Sequence, residues 1–76
     1  MNDKEIIKIF ASSLRAERAR KMYSQEYLAE KAEITQEYLS RVEREKYSPS
    51  LVVIVKLAKA LDVDLNTLLP LEKLSK

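Results

Sequence analysis

Apolar positions recur at helical spacing along almost the whole chain. In residues 3–21, Ile7, Phe10, Leu14, Arg18 and Lys21 follow one another on one face, with Ile6 and Ala11 beside them, and predict a first helix. Asp3 is its expected N-cap, and Glu5 sits in the first turn, where an acid suits the helix dipole. Residues 24–44, SQEYLAEKAEITQEYLSRVER, read as two short helices joined by a tight turn. Each opens on a hydroxyl residue suited to capping, Ser24 before the first and Thr35 before the second. Leu28, Ala29, Ala32, Ile34, Leu39 and Val42 supply apolar positions that converge between them. Tyr23, just before the cap, is placed to pack on Leu28 as a hydrophobic staple. The link Ala32-Glu33-Ile34 puts Glu33 where glycine would be easier; a positive φ there costs about 1 kcal/mol.

The segment EKYSPS is the one clear loop. Ser48-Pro49 reads as a helix start, a capping hydroxyl followed by proline at the first helical position. Propensity alone favours a strand for the Val52–Val55 run that follows. The start signal, the length and the spacing of Leu51, Ile54, Val55, Ala58 and Leu61 favour helix instead. Val52 and Val53 lie largely off that stripe, so this helix is apolar around more than half its circumference and suggests a partner. Asp64 is placed to cap a last helix from Leu65 to about Leu69, which Pro70 stops. Leu65, Leu68, Leu69, Leu71 and Leu74 exceed what one short terminal helix can bury. Residues 62–76 are therefore expected to contribute to dimerisation, although Leu65 and Leu68 fit the core at least as well. The surface expected between copies comprises Val52, Val55, Leu65, Leu69, Leu71 and Leu74.

Seventy-six residues make one small all-α domain, spanning residues 1–76, with a marginal core that a second copy would support. There is no cysteine and no histidine. Disulfides are excluded, most metal sites and nucleophile–base pairs are unavailable, and a reducing cytoplasm fits. There is no glycine either, which rules out phosphate-cradling loops and dinucleotide fingerprints. No enzyme activity, cofactor, metal or small-molecule ligand is expected. No apolar run is long enough to cross a membrane, and the start, MNDKEIIKIF, has no signal-peptide apolar segment. The formal charge is only +2, from 14 basic and 12 acidic residues. A nucleic-acid role would require the basic groups to be gathered on one face.

Helical spacing gathers Gln36, Glu37, Ser40, Arg41 and Arg44 on the outer side of the second helix of the 24–44 pair. This is the layout of a helix-turn-helix whose second helix enters a DNA major groove. A Gln amide pairs with adenine and an Arg guanidinium with guanine, whereas a Glu accepts only from cytosine and rejects other bases. Arg41 and Gln36 are the expected direct readers, with Glu37 as selector. The competing reading is a solvated surface, since Glu37 and Arg41 are also an i,i+4 ion pair. Gln25, at the start of the preceding helix, is placed to meet a phosphate or simply solvent. Arg18 falls on the inward stripe of the first helix, where a guanidinium needs a carboxylate, and Glu43 is the best candidate; the alternative is an arginine that snorkels to solvent.

From about Leu14 to Leu69 the chain resembles the phage-repressor-like (Cro/C1 or XRE) helix-turn-helix family. The matching pieces are LRAER, SQEYLAEKAEIT, YLSRVEREK, SPSL and KLAKALDVDLNTLL, in the family's order and spacing. A repressor domain of this length with no appended sensor or enzyme most resembles the controller proteins of restriction–modification systems. The resemblance implies a five-helix, lambda-repressor-like bundle in the bacterial cytoplasm. It implies binding to a palindromic operator in double-stranded DNA as a homodimer. By position, Gln36, Glu37 and Arg41 fall where the family reads bases, and Gln25 where it meets phosphate. Tyr38, Ser40, Arg44 and Lys46 fall at phosphates or the groove edge, with Ser48 expected beside them. Arg18 and Glu43 match the family's buried ion pair. Where the family often has glycine, this chain has Glu33, Glu45 and Asp62, and Glu45 would repel phosphate. An antitoxin or a phage or host repressor is an alternative within the family. A helical protein–protein module, supported by the near-neutral charge, is an alternative outside it.

Overall fold

The computed structural model describes residues 2–74; the last two residues of the 62–76 segment lie outside it. The described residues form five α-helices, α1 (Asp3–Arg20), α2 (Gln25–Ala32), α3 (Gln36–Glu43), α4 (Leu51–Leu61) and α5 (Leu65–Leu68), and a 3-10 turn at Leu71–Lys73. α2 packs on α3 and α4, α1 on α3 and α5, and α4 on α5. At the centre Leu14, Leu28, Leu39, Val42, Leu57, Leu61 and Leu68 are fully buried. Each such side chain contributes roughly 1.5–3 kcal/mol relative to exposure, and every one of the five helices supplies at least one of them.

Every α-helix begins on a side-chain cap. The Ser24 Oγ accepts from the Tyr27 N–H at 3.0 Å, and the Thr35 Oγ1 from the Tyr38 N–H at 3.0 Å. Asp64 Oδ1 accepts from both the N–H and the hydroxyl of Thr67, each at 2.9 Å. Two starts differ from the sequence reading. α1 is capped by Asn2, whose Oδ1 accepts from the Glu5 N–H at 2.8 Å, and Asp3 is its first helical residue. α4 is capped by Ser50, whose Oγ accepts from the Val53 N–H at 3.2 Å. Ser48-Pro49 therefore precedes the helix as exposed loop and cap-flanking residue. With that start, Leu51 is 71% exposed and Val55 is exposed, whereas Val53 and Ile54 pack on the core. The inward face of α4 is completed by Leu57, Ala58, Ala60 and Leu61. At the end of the bundle, α5 stops one residue before Leu69, at Leu68.

The first four helices close alike. Met22, Glu33, Glu45 and Asp62 all have positive φ, between 57° and 65°. In each case the following residue's N–H reaches back five residues: Tyr23 to Arg18, Ile34 to Ala29, Lys46 to Arg41 and Val63 to Ala58. This is the Schellman closure, which glycine ordinarily serves. Its companion apolar contact is present at three of the four, where Tyr23, Ile34 and Val63 pack on the core. Glu33, Glu45 and Asp62 are where the sequence suggested a missing glycine. Met22 is an additional case, 90% exposed because its backbone, not its side chain, serves the turn. Tyr23 packs on the core as expected of a staple, and its ring meets Tyr27 edge-on at 4.7 Å.

Candidate nucleic-acid interface

The placement of α3 is fixed from behind by one buried carboxylate. Glu43, the last residue of α3, is 2% exposed. Arg18 of α1 grips it with two donors, Nε to Oε2 at 2.7 Å and Nη2 to Oε1 at 2.9 Å. The Gln25 amide, at the start of α2, donates to the same Oε1 at 3.0 Å. The Glu43 carbonyl, one of the orphan acceptors of a helix C-terminus, accepts from Arg15 Nη1. Arg18 Nη1 also donates to the Tyr23 carbonyl at 3.0 Å, tying in the link between α1 and α2. The hydrogen bond to Glu43 raises the Arg18 guanidinium above its ordinary range, against the opposing effect of burial. The pair joins α1 to α3, Gln25 adds α2, and Arg18 does not simply snorkel to solvent. Arg15 and Gln25 are members that sequence reasoning did not assign to it.

The opposite side of α3 is polar and open. Gln36, Glu37 and Arg44 are exposed, and Ser40 and Arg41 are half-buried. Arg41 Nη2 donates to Glu37 Oε2 at 3.1 Å, and its guanidinium also lies over the Tyr47 ring, 5.6 Å from the centroid. The hydrogen bond that Arg41 donates to Glu37, then the charge interaction with Tyr47, raise Arg41 above its ordinary range. Tyr47 leans on Tyr38 at 5.5 Å, and Tyr38 packs on the core. Tyr38 is therefore half-buried, with its ring against that of Tyr47. Tyr47 was not singled out from the sequence; an aromatic in the loop beside the candidate reading helix was the available signal.

The candidate backbone contacts spread around this face. Arg44, Lys46 and Ser48 are exposed on the α3–α4 connection. Arg44, Lys46 and Lys4 line one shallow cleft with Ile7 and Glu45. Lys4 brings a third cation there, and the carboxylate of Glu45 lies among these cations. Gln25 is half-buried and already engaged with Glu43.

The Helix-turn-helix (HTH_3) family profile matches residues 14–68, most of the chain. The chain belongs to this family of XRE-type DNA-binding regulators. It is 40% identical to the restriction-modification controller protein C.AhdI from Aeromonas hydrophila, with a TM-score of 0.79 over 82% of this chain and 94% of that one. The hypothetical transcription factor NHTF from Neisseria matches at 34% identity and a TM-score of 0.81, over 91% of this chain and 80% of that one. An immunity repressor protein of Bacillus phage phi105 is 35% identical over 63 residues, 83% of this chain. The chain spans 44% of that repressor's length. Its described helices include none long and apolar enough to cross a membrane.

Proposed function

We propose that this protein is a sequence-specific transcription regulator that binds a palindromic operator as a homodimer. The best-supported biological setting is that of a restriction–modification controller acting on its own promoter. The observation that carries the reading is the outer face of α3. Gln36 and Glu37 are exposed, and Ser40 and Arg41 half-buried, on one face of a helix that the Arg18–Glu43 pair locks in place. Arg41 reads guanine through O6 and N7, Gln36 reads adenine, and Glu37 rejects bases that offer it no donor. Arg44, Lys46, Ser48 and the N-terminus of α2, where the Gln25 amide is held by Glu43, set register on the phosphates. The close likeness to a controller protein supports the setting; the phage immunity repressor supports a phage repressor as second reading.

Binding sites are selected from random double-stranded DNA with wild type and with Arg41→Ala, and then footprinted at two salt concentrations. A two-fold symmetric site, lost in the variant and weakened by salt, is the expected result. Failure of wild type to enrich any sequence overturns the reading. It would turn attention to the exposed apolar residues of α4 as a surface for another protein.

A further inference from the structure

We propose that Tyr47 is a specificity-determining positioning residue, which holds the Arg41 guanidinium ready to read its base. The proposal rests on the DNA-binding reading above and adds a second residue to its mechanism. Arg41 is attached to α3 by a long side chain with many rotamers, and reading a base bidentately requires one of them. In the free protein the guanidinium has two neighbours of different character. Glu37 accepts from it at 3.1 Å, and the Tyr47 ring lies beneath it at 5.6 Å.

These neighbours hold the guanidinium in different ways. The Glu37 carboxylate engages one of the five guanidinium N–H donors, through Nη2, and pulls the side chain toward α3 rather than leaving it free to turn. The Tyr47 ring contact is a cation–π attraction that replaces no hydrogen-bond acceptor of a base. Contact with Tyr47 is therefore compatible with base reading, and the ion pair leaves the other N–H groups for it. Tyr47 is itself anchored: it leans on Tyr38 at 5.5 Å, and Tyr38 packs on the core. A path of rings thus runs from the hydrophobic interior to the reading side chain. The loop after α3 contributes to recognition through this stack, independently of any phosphate contact of its own.

The test uses the whole protein and a site selected by wild type from random DNA. Affinity is measured for that site and for a version changed at the base pair Arg41 reads, with wild type, Tyr47→Phe, Tyr47→Leu, Arg41→Ala and the Tyr47→Leu/Arg41→Ala double variant. Circular dichroism melts check that each variant folds. Tyr47→Phe, which keeps the ring, is expected to match wild type. Tyr47→Leu is expected to lose roughly two- to fivefold for the selected site, as an exposed cation–π contact implies, and little for the changed site. In the Arg41→Ala background it should have no further effect. Equal losses of Tyr47→Leu on both sites, or full additivity with Arg41→Ala, overturn the proposal while leaving DNA binding intact. Loss in Tyr47→Phe equal to that in Tyr47→Leu also overturns it, since the hydroxyl alone would then matter. If wild type selects no sequence, the DNA reading fails and this proposal fails with it.

Discussion

Glu43 shows how much one side chain can organise in a domain this small. It receives two bonds from Arg18 and one from Gln25 on its carboxylate, and one from Arg15 on its carbonyl. Removing a buried partner is costly because the remaining charge loses its compensation. Glu43→Ala is expected to destabilise by about 3 kcal/mol in urea titration, a large part of what a domain of this size has. Arg18 retains some solvent, so the effect should fall short of that of a fully buried pair. A loss below about 1 kcal/mol would mean that the bonds merely decorate a helix placed by packing. Glu33 predicts a change of the opposite sign. At φ 61° its Cβ is strained, and its side chain is exposed. Glu33→Gly should stabilise by about 1 kcal/mol, seen as a raised Tm, because the strain relieved exceeds the chain entropy added. A lowered Tm would show that the Glu33 side chain has a supporting role of its own. The pair between Arg18 and Glu43 was legible in the sequence because an arginine on an apolar stripe demands a carboxylate. The shares of Arg15 and Gln25 were not legible, because both depend on how three helices meet. The left-handed Met22 was also illegible, since methionine carries no turn signal; chain reversal between α1 and α2 imposes it.

Helix boundaries were readable where one residue could serve as cap and ambiguous where two could. Ser24, Thr35 and Asp64 each stand alone before an apolar pattern, and each caps. In SPS both serines flank Pro49, and local rules favour Ser48 because proline suits the first helical position. Ser50 is the one that caps, its Oγ accepting from the Val53 N–H at 3.2 Å. Within the helix Leu51 is exposed and Val53 packs on the core. Ser50→Ala should therefore destabilise by about 1 kcal/mol, whereas Ser48→Ala should stay within about 0.5 kcal/mol of wild type. Equal effects of the two would contradict the Ser50 cap. The α5 cap predicts a dependence on pH. The Thr67 hydroxyl, then the Thr67 N–H, hold the Asp64 carboxyl below its ordinary range. A folded value below the unfolded one means that the ionised cap stabilises above the ordinary carboxylate range. That stability is lost as pH falls through the depressed value. Asp64→Asn keeps a capping oxygen but cannot titrate, so its unfolding midpoint should decline less steeply below about pH 4. An unchanged acid slope would show that the cap contributes nothing electrostatic.

At the scale of the whole molecule, the polar face of α3 and the apolar exposure of α4, α5 and the final turn raise one question. Val52 is 63% exposed, and Leu51, Val55, Leu65 and Leu71 are also exposed. Of the six residues expected between copies, Leu69 instead packs partly on the core and Leu74 is half-buried, so the available surface is narrower than the leucine pattern suggested. A single α3 offers few base contacts, and a marginal core gains from covering apolar surface. Both considerations favour a two-fold pair in which two reading helices address half-sites about one turn of DNA apart. Sedimentation equilibrium at micromolar concentration is accordingly expected to give a dimer. Val55→Asp combined with Leu65→Asp places charge on exposed positions of two adjoining helices. It should yield a folded monomer, because neither side chain closes the core. The same variant should bind the selected operator roughly a hundredfold or more weakly, since two linked half-sites are replaced by one. Its affinity for a single half-site should be nearly unchanged, which separates lost pairing from a damaged reading helix. A monomeric wild type at that concentration would remove the standing dimer and leave pairing to the DNA. A double variant that stays dimeric would move the interface away from α4 and α5.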